Sequence, residues 1–271
     1  MIPKVSIIIP CYNMGDFVRD ALDSVLNYPH QDIVEIIIVN DGSDDNGYTK
    51  NILDNLNAPN LEVIHQENKG LGAARNKGSH IAKAPYIIPL DADNKLRHNY
   101  IDKGILILDS EPDVCMVYGN NKKLGLRNDI VNVGSLNISK LLIKNYIDAC
   151  VILRKKAWKS INGYDESMPI MGYEDWDLNL RLFFKGWKFY YLDEVCFDYR
   201  VREDSMLLNS NKNRTLLVDY MFSKPELQQA KLLRDRLVIL QSCEKMQKRT
   251  IIRLALKIEK LLKYIFGKQN D

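Results

Sequence analysis

The chain has 271 residues, of which 46% are hydrophobic and 27% charged, ordinary values for a globular protein. This length can form one large α/β domain with a remainder, and no basic stripe interleaves with aromatic residues, so we expect no nucleic-acid partner. The net charge of +3 is uneven, because residues 241–271 carry eight Lys and Arg against three acidic residues, which leaves −2 for the rest.

The first predicted elements are a strand, a loop and a helix. Residues 5–13 contain a β-branched run that reaches Pro10 and is followed by Tyr12 and Asn13, and apolar residues then recur at helical spacing up to Val25. This N-terminus has neither the pattern of a secretory signal nor that of a spanning helix. The five cysteines are scattered without a Cys-x-x-Cys pair, which predicts buried free thiols and a cytoplasmic protein.

Polar residues follow each of the next predicted strands. Residues 36–40 lead into Asp41-Gly42-Ser43, residues 61–66 precede Asn68 and a helix, and residues 86–90 lead into Asp91-Ala92-Asp93. Strands that alternate with helices indicate an α/β sheet, in which ligands bind at the carboxyl ends of the strands.

The pair Asp91 and Asp93 is the most informative feature, because a strand that ends in two carboxylates presents them side by side. Such a pair suits Mg²⁺ or Mn²⁺ bound to a diphosphate, since these cations take one or two carboxylates plus substrate phosphates. Taken alone, the pattern is weak and is more typical of a turn with side-chain hydrogen bonds after a strand.

Later elements are less regular. Strands are predicted at residues 114–118, 150–153 and 189–195, whereas residues 120–145 are polar and without a clear period, which is typical of a functional or mobile segment. Residues 212–240 are predicted to be helical with an interruption near Pro225, and residues 245–266 form a second helical stretch.

Six short motifs within residues 3–206 occur in the same order as in the inverting family 2 glycosyltransferases of the GT-A fold, and this part of the chain resembles that family. The matching motifs are Pro10-x-Tyr12-Asn13, Asp41-Gly42-Ser43, Asn68-x-Gly70-x-x-x-Ala74-Arg75-Asn76, Asp91-Ala92-Asp93, Gly163-Tyr164-Asp165-Glu166 and Glu174-Asp175-Trp176-Asp177-Leu178. The resemblance implies an α/β fold of the GT-A type, with a mixed, mostly parallel sheet flanked by helices, a Rossmann-like nucleotide-binding half and C-terminal helices. We expect a catalytic domain at 1–210, with a nucleotide-binding half at about 1–93 and an acceptor-binding half at about 94–210, followed by a helical extension at 211–271.

The resemblance also implies a set of donor-binding residues. They are Pro10, Tyr12, Asn13, Asp41, Asn68, Arg75, Asp91, Asp93, Glu174 and Arg202. Asp41 would read the uracil imide, Asp91 would face the ribose, Asp93 would bind the metal, and Glu174 would contact sugar hydroxyls. Simpler alternatives stay open, because Asp41 could start a turn, Tyr12 could pack in the core, and Arg75 could form a surface ion pair.

Asp175 is the candidate general base, which takes a proton from the acceptor hydroxyl. It lies in the first turn of a predicted helix, where the helix dipole favours an ionised carboxylate. Helix capping is the alternative, for which acidic residues are also preferred.

Arg202 departs from the family pattern, because many members have a histidine metal ligand in its place within a Tyr-Arg-x-His-x-x-Ser-Met context. A guanidinium cannot bind a cation, but it can bind a phosphate directly. We therefore expect a divalent cation, Mn²⁺ or Mg²⁺, with one protein ligand fewer than in a typical relative.

The function that the resemblance implies is that of an inverting glycosyltransferase of the hexosyl or N-acetylhexosaminyl type. It would move a sugar from a nucleotide sugar, here a UDP-sugar, to a glycan or lipid-linked acceptor in surface polysaccharide or glycoconjugate synthesis. A nucleotide-sugar-binding scaffold with weak catalysis and a nucleotidyltransferase are the alternatives. A dehydrogenase is excluded, because its Gly-x-Gly-x-x-Gly motif does not follow the first strand.

The C-terminal stretch is basic and amphipathic from about residue 245. Apolar residues fall on one helical face and cations on the other; the apolar residues are Ile251, Leu254, Ile258, Leu261, Leu262 and Ile265. Such a helix suits peripheral binding at the inner face of a membrane, and packing on the catalytic domain or on a second subunit are the alternatives.

Overall fold

The computed structural model describes residues 2–203 and 206–267. Its strands are β1 Val5–Cys11, β2 Val34–Asp41, β3 Leu61–Gln66, β4 Tyr86–Pro89, β5 Lys95–Leu96, β6 Val114–Gly125, β7 Ile130–Val131, β8 Ile152–Arg154 and β9 Lys188–Val201. Its helices are α1 Gly15–Leu26, α2 Tyr48–Asp54, α3 Leu71–Ile81, α4 His98–Ser110, α5 Ile138–Ile143, α6 Lys155–Ser160, α7 Glu174–Phe184, α8 Met206–Lys212, α9 Arg214–Phe222 and α10 Gln228–Gly267. Short 3-10 helices cover Gln31–Ile33 and Pro225–Leu227.

The described strands form one mixed sheet in the order β3-β2-β1-β4-β8-β6-β9-β5, with β7 paired to β6. Strands β1 to β4 are joined in parallel, β8 runs antiparallel to β4 and β6, and β9 lies parallel to β6. Most paired residues are in parallel ladders, so the predicted mixed, mostly parallel sheet is confirmed.

Both faces of the sheet are covered by helices, because its central strands are apolar on both sides. Ile7 and Ile9 of β1 belong to one core with α1, α2 and α4, whereas Ile8 belongs to the other core with α3, α6, α7 and α9. Successive side chains of a strand point to opposite faces, which explains why neighbouring isoleucines enter different cores.

The segment at 120–145 is more ordered than the prediction of an irregular segment. β6 continues to Gly125, because it pairs with β9 along its whole length, and this segment also contains β7 and α5. Backbone pairing with β9 thus keeps polar residues in a strand that their own pattern does not indicate.

The C-terminal part begins inside the core. Leu217 and Met221 of α9, Leu227, and Ala230 of α10 are fully buried, so the structure joins these residues to the body, whereas the predicted extension began at residue 211. The division into domains stays a prediction, and its boundary at residue 210 falls within α8.

The two helical stretches predicted on either side of residues 241–244 form one continuous helix, α10. It has 40 residues, and at about 1.5 Å per residue it is about 60 Å long. Within residues 251–258, the large apolar side chains are between 49% and 66% exposed. Leu261, Leu262 and Ile265, whose side chains lie outside the described residues, complete the predicted apolar face. Across the described part of the chain, no helix has the length and apolar character to cross a membrane.

None of the five cysteines, all of which lie in the described part of the chain, forms a disulfide. Four are buried, as predicted, whereas Cys243 is exposed on α10.

Candidate active site

Polar residues from three neighbouring strands meet at one edge of the sheet. β1 lies between β2 and β4 and runs parallel to both, so the carboxyl ends of all three lie side by side. Asp41 ends β2, the pair Asp91 and Asp93 follows β4, and Tyr12 follows β1. Pro10 is a buried member of β1, where it is paired with Val39.

The end of β1 is tied to the loop after β2. The Tyr12 hydroxyl donates to Asp44 Oδ1 at 3.0 Å, and the Asn13 amide donates to the same oxygen at 2.7 Å. Asn13 has a left-handed backbone with φ of 54°, which asparagine tolerates better than most residues. Tyr12 is 39% exposed, which excludes core packing and leaves its ring accessible at the sheet edge.

Asp41 holds the loop that precedes α3. Its Oδ1 accepts from the Gln66 side chain at 2.7 Å and from Lys69 N–H at 2.9 Å, and its Oδ2 accepts from Gly70 N–H at 2.8 Å. A Cβ on Gly42, whose φ is 65°, would lie 2.5 Å from Asn68 N, so glycine is needed for this close approach. Asp41 therefore anchors the loop before α3, whereas the turn after β2 is closed by Asn40, whose side-chain oxygen accepts from Ser43 N–H at 3.1 Å. The uracil contact of Asp41 stays a prediction, as does the donor contact of the exposed Asn68.

Arg75 joins two parts of the site. One guanidinium nitrogen lies 2.7 Å from Asp91 Oδ1 and the other lies 2.7 Å from Glu174 Oε1. Arg75 is only 2% exposed, so it is not a surface ion pair. Glu174 also accepts from Gly172 N–H at 2.6 Å, so both of its oxygens have donors. The two carboxylates are thus held at fixed places, and direct contacts of Arg75 and Glu174 with the donor stay predictions.

The next helical residue, Asn76, links the Arg75 motif to the Gly163-Tyr164-Asp165-Glu166 motif. Its amide donates to the Tyr164 carbonyl at 2.8 Å and to Glu166 at 2.7 Å, and its oxygen accepts from Tyr164 N–H at 2.8 Å. Gly163 has a φ of 71°, and a Cβ there would lie 2.4 Å from the Asn76 oxygen. This motif therefore anchors the helix that carries Arg75.

Arg202 lies against the second carboxylate of the Asp91/Asp93 pair. Its guanidinium is 3.4 Å from Asp93 Oδ2, and it stacks over the Phe17 ring. Arg200, two residues earlier, donates to the Asp93 carbonyl at 2.9 Å. The end of β9 therefore brings two guanidinium groups to the Asp93 turn. Asp204 and Ser205 of the same predicted motif lie outside the described residues.

The chemistry of Asp93 fits a divalent cation. Burial, followed by the negative charge of Asp91, raises the Asp93 pKa to about 6, so a cation beside this carboxylate would offset an unfavourable charge. No group of three or more His, Cys, Asp or Glu side chains with metal-binding geometry occurs within residues 2–203 and 206–267. A cation held by Asp93 would therefore take its remaining ligands from phosphate oxygens and water, as Mg²⁺ commonly does. The metal role of Asp93 stays a prediction.

Asp175 lies in the first turn of α7, half-buried beside Glu174. Its Oδ1 accepts from Trp176 N–H at 2.7 Å, and its Oδ2 accepts from the Asn145 amide at 2.9 Å. Burial, followed by the charge of Glu174, raises the Asp175 pKa well above the usual range, against the opposing effect of Arg75. We expected the helix dipole to favour ionisation; desolvation outweighs it. A raised pKa makes the carboxylate a stronger base near neutral pH.

Two site residues, Asn145 and Asp148, were not predicted from the sequence. Both lie between α5 and β8, and Asp148 accepts from Cys150 N–H at 3.0 Å. Burial, followed by the charge of Asp91, raises the Asp148 pKa to about 6, which indicates that it faces the same carboxylates. The sequence offered only a weak indication of Asp148, an acidic residue just before a predicted strand, and such residues are too common to suggest a site.

Two family models match the chain. One, described as glycosyl transferase family 2, matches residues 6–160, and another, described as the N-terminal domain of galactosyltransferase, matches residues 135–203. Together they cover the site from β1 to Arg202.

The chain is also similar to larger curated proteins. It is 34% identical over 192 residues to an uncharacterized glycosyltransferase of Rickettsia felis, a match that covers 66% of this chain and 31% of that protein. It is 27% identical over 233 residues to chondroitin synthase of Pasteurella multocida, with 82% of this chain and 24% of the relative covered. The chain thus spans about a quarter to a third of the length of these relatives.

Among solved structures, the fold is similar to TarS 1-349 of S. aureus in complex with UDP-GlcNAc. The TM-score is 0.65 at 16% identity, with 87% of this chain and 71% of the other chain covered. At this identity the likeness shows the fold, which is the GT-A fold. The family match over more than half of the chain, together with this sheet, shows that the chain belongs to glycosyl transferase family 2.

Proposed function

We propose that this glycosyltransferase moves a hexosyl or N-acetylhexosaminyl group from a UDP-sugar to a hydroxyl of a glycan or lipid-linked acceptor, with inversion at the anomeric carbon. The observation that carries the proposal is the position of Asp175. Its neighbour Glu174 is joined through the buried Arg75 to Asp91, at 2.7 Å on each side. These contacts place the Asp175 carboxylate next to the strand ends where a nucleotide sugar would bind.

The nature of the donor is supported by the relatives. Solved structures of similar fold hold UDP and UDP-GlcNAc, and curated relatives include chondroitin and hyaluronan synthases. Tyr12 would border the base, and Asp41 would accept a hydrogen bond from it. Asp91 would face the ribose, and the diphosphate would lie near Asp93 and Arg202.

In the proposed reaction, Asp175 takes the proton of the acceptor hydroxyl as its oxygen attacks the anomeric carbon. The bond from that carbon to the diphosphate breaks, and its electron pair leaves with UDP. One displacement gives inversion, and no covalent sugar–enzyme intermediate forms. Arg202 would contribute positive charge where negative charge develops on the leaving group. A cation bound by Asp93 would supply further charge stabilisation there.

A nucleotide-sugar-binding scaffold without turnover is the second candidate. It is favoured by one observation, the guanidinium of Arg202 at 3.4 Å from the proposed metal carboxylate Asp93. A panel of nucleotide sugars separates the two functions, because an enzyme releases nucleoside diphosphate and a scaffold only binds.

The test of the base uses Asp175→Asn. We use the nucleotide sugar from the panel that the parent chain turns over. Its turnover should fall more than about tenfold, which corresponds to about 1.4 kcal/mol in the activation free energy, while its binding affinity should stay within about twofold. Asp113→Asn is a matched control, since Asp113 pairs with Lys188 on the surface. Retained turnover in Asp175→Asn would place the base elsewhere.

We also propose that the exposed part of α10 binds an anionic membrane surface at the cytoplasmic face, where a lipid-linked acceptor is presented. Residues 241–271 carry eight cations and three acids, and each cation near an anionic surface adds about 1 kcal/mol. The apolar face beside these cations would enter the headgroup region.

Co-sedimentation with anionic and with neutral vesicles tests this location. The full chain should bind the anionic vesicles, and a chain that ends at Gln241 should not. Equal behaviour of both chains would refute the membrane proposal, and a concentration-dependent dimer formed only by the full chain would assign α10 to a second subunit instead.

A further inference from the structure

We infer that Asn145 is a positioning residue for the general base, because its side-chain amide holds the Asp175 carboxylate in place and stabilises its ionised form. This inference rests on the proposed function, in which Asp175 takes the acceptor proton. Asn145 belongs to the segment between α5 and β8; it is the last residue of the irregular stretch 120–145 and lies outside the short motifs of the resemblance.

The orientation of the Asn145 amide follows from its two partners. Its Oδ1 accepts from Ile147 N–H at 3.3 Å, and its Nδ2 donates to Asp175 Oδ2 at 2.9 Å. The reversed amide would place its NH₂ group against a backbone N–H and its oxygen against a carboxylate. Both contacts would be repulsive, so only the observed orientation satisfies the neighbours.

The contact restricts the Asp175 carboxylate at both oxygens. Trp176 N–H occupies one lone pair of Oδ1 at 2.7 Å, and Asn145 occupies one lone pair of Oδ2. Each carboxylate oxygen accepts about two hydrogen bonds, so one position on each oxygen stays open to a hydroxyl group. The plane of the carboxylate is therefore set before an acceptor arrives.

The charges around Asp175 explain why an uncharged hydrogen-bond donor is important for the ionisation of its carboxyl group. Charged and titratable groups face it from α3, α7, β9 and the loops around the site; they are Arg75, Asp148, Tyr164, Glu174 and Tyr199. The two acids oppose a further negative charge, and Arg75 is already paired with Asp91 and Glu174. A hydrogen bond to an ionised group is roughly twice as strong as a neutral one, so Asn145 favours the basic form.

The chain offers a matched control in the same segment. The Asn137 side chain accepts from Lys140 N–H at 2.9 Å and caps α5, with no contact to Asp175. Asn137→Ala therefore loosens the segment that carries Asn145, whereas Asn145→Ala removes the contact itself. Asn145→Asp keeps the size of the side chain and adds a competing carboxylate.

The first measurement is UDP release from UDP-N-acetylglucosamine as a function of pH. In Asn145→Ala we expect the acid limb of kcat to move up by about one pH unit and kcat near neutral pH to fall about tenfold, with KM for the donor within about twofold. Asn145→Asp should move the limb further, because two carboxyl groups then share one site. Asn137→Ala should leave the limb where it is in the parent chain.

The second measurement does not depend on activity. In protein labelled with carbon-13 at aspartate carboxyls, the resonance lost in Asp175→Asn identifies Asp175, and its titration should move to higher pH in Asn145→Ala but not in Asn137→Ala. An unchanged Asp175 titration in Asn145→Ala, or an equal shift in Asn137→Ala, overturns the inference. Full turnover in Asp175→Asn would overturn the proposed function instead, and the carbon-13 titration would still decide the contact.

Discussion

Removal of the Arg75 guanidinium should destabilise the whole domain, since it is the buried link between β4 and α7. It makes two contacts of 2.7 Å, and the side chains of Arg75 and Glu174 are 2% and 3% exposed. Removing one partner of a buried ion pair costs about 3–5 kcal/mol, because the other charge stays buried without compensation. The Asp91 side chain is 32% exposed, so water can solvate its carboxylate when Arg75 is removed. Most of the loss in unfolding free energy therefore comes from Glu174.

The assay is urea unfolding of Arg75→Ala. A loss of about 4 kcal/mol with a slope of about 3 kcal/mol per molar lowers the midpoint by about 1.3 M. Arg127→Ala is the control: its ion pair with Asp129 is exposed and screened by solvent, so we expect the unfolding midpoint to stay close to that of the parent chain. The double variant Arg75→Met with Glu174→Leu should recover much of the loss. A loss below about 1 kcal/mol in Arg75→Ala, or a double variant less stable than Arg75→Ala, would refute the reasoning.

Three further predictions concern single side chains. Asp93 has a pKa raised from 3.8 to about 6, so its ionised form is unfavourable in the folded protein. Asp93→Asn should therefore stabilise the fold by about 1–3 kcal/mol above pH 6, and this gain should vanish as the pH falls to about 4. Unfolding curves recorded at several pH values measure the gain. A gain that persists at low pH would contradict this. Arg202→Ala should weaken UDP binding about tenfold in chelator by calorimetry, and parental affinity there would refute a phosphate contact. Asp41→Ala should lose the preference for UDP over other nucleoside diphosphates; a preference of the parent chain for GDP or dTDP would refute the uridine assignment.

Much of the site was predictable because its residues follow strands with strong local patterns. Asp41 and Asp91 each end or follow a buried, mostly apolar strand, and parallel pairing brings those ends to one edge. Asp175 was predicted from a different local pattern, a dense acidic motif at the start of a helix, and its role as the base stays a prediction. The predicted fold was confirmed for the same reason, since continuous apolar strands alternating with helices have few other solutions.

The contacts between these motifs were not predictable from local pattern. Arg75 and Glu174 are 99 residues apart, and Asn145 and Asp175 are 30 residues apart, so no periodicity links them. The raised pKa of Asp175 has the same origin, because burial is a property of the packed site, whereas the helix dipole could be inferred from position alone.

The sequence by itself determined the α/β class, the order of the strands and helices, and the acidic residues at the strand ends, since these depend on hydrophobic periodicity and on a few short motifs. Only the tertiary structure decided that Arg75 is a buried bridge, that Arg202 lies against Asp93, that Asn145 holds Asp175, and that α10 leaves the body. The physical reason is that desolvation, ion pairing and exposure depend on which distant segments pack together, and local pattern carries no information about those partners.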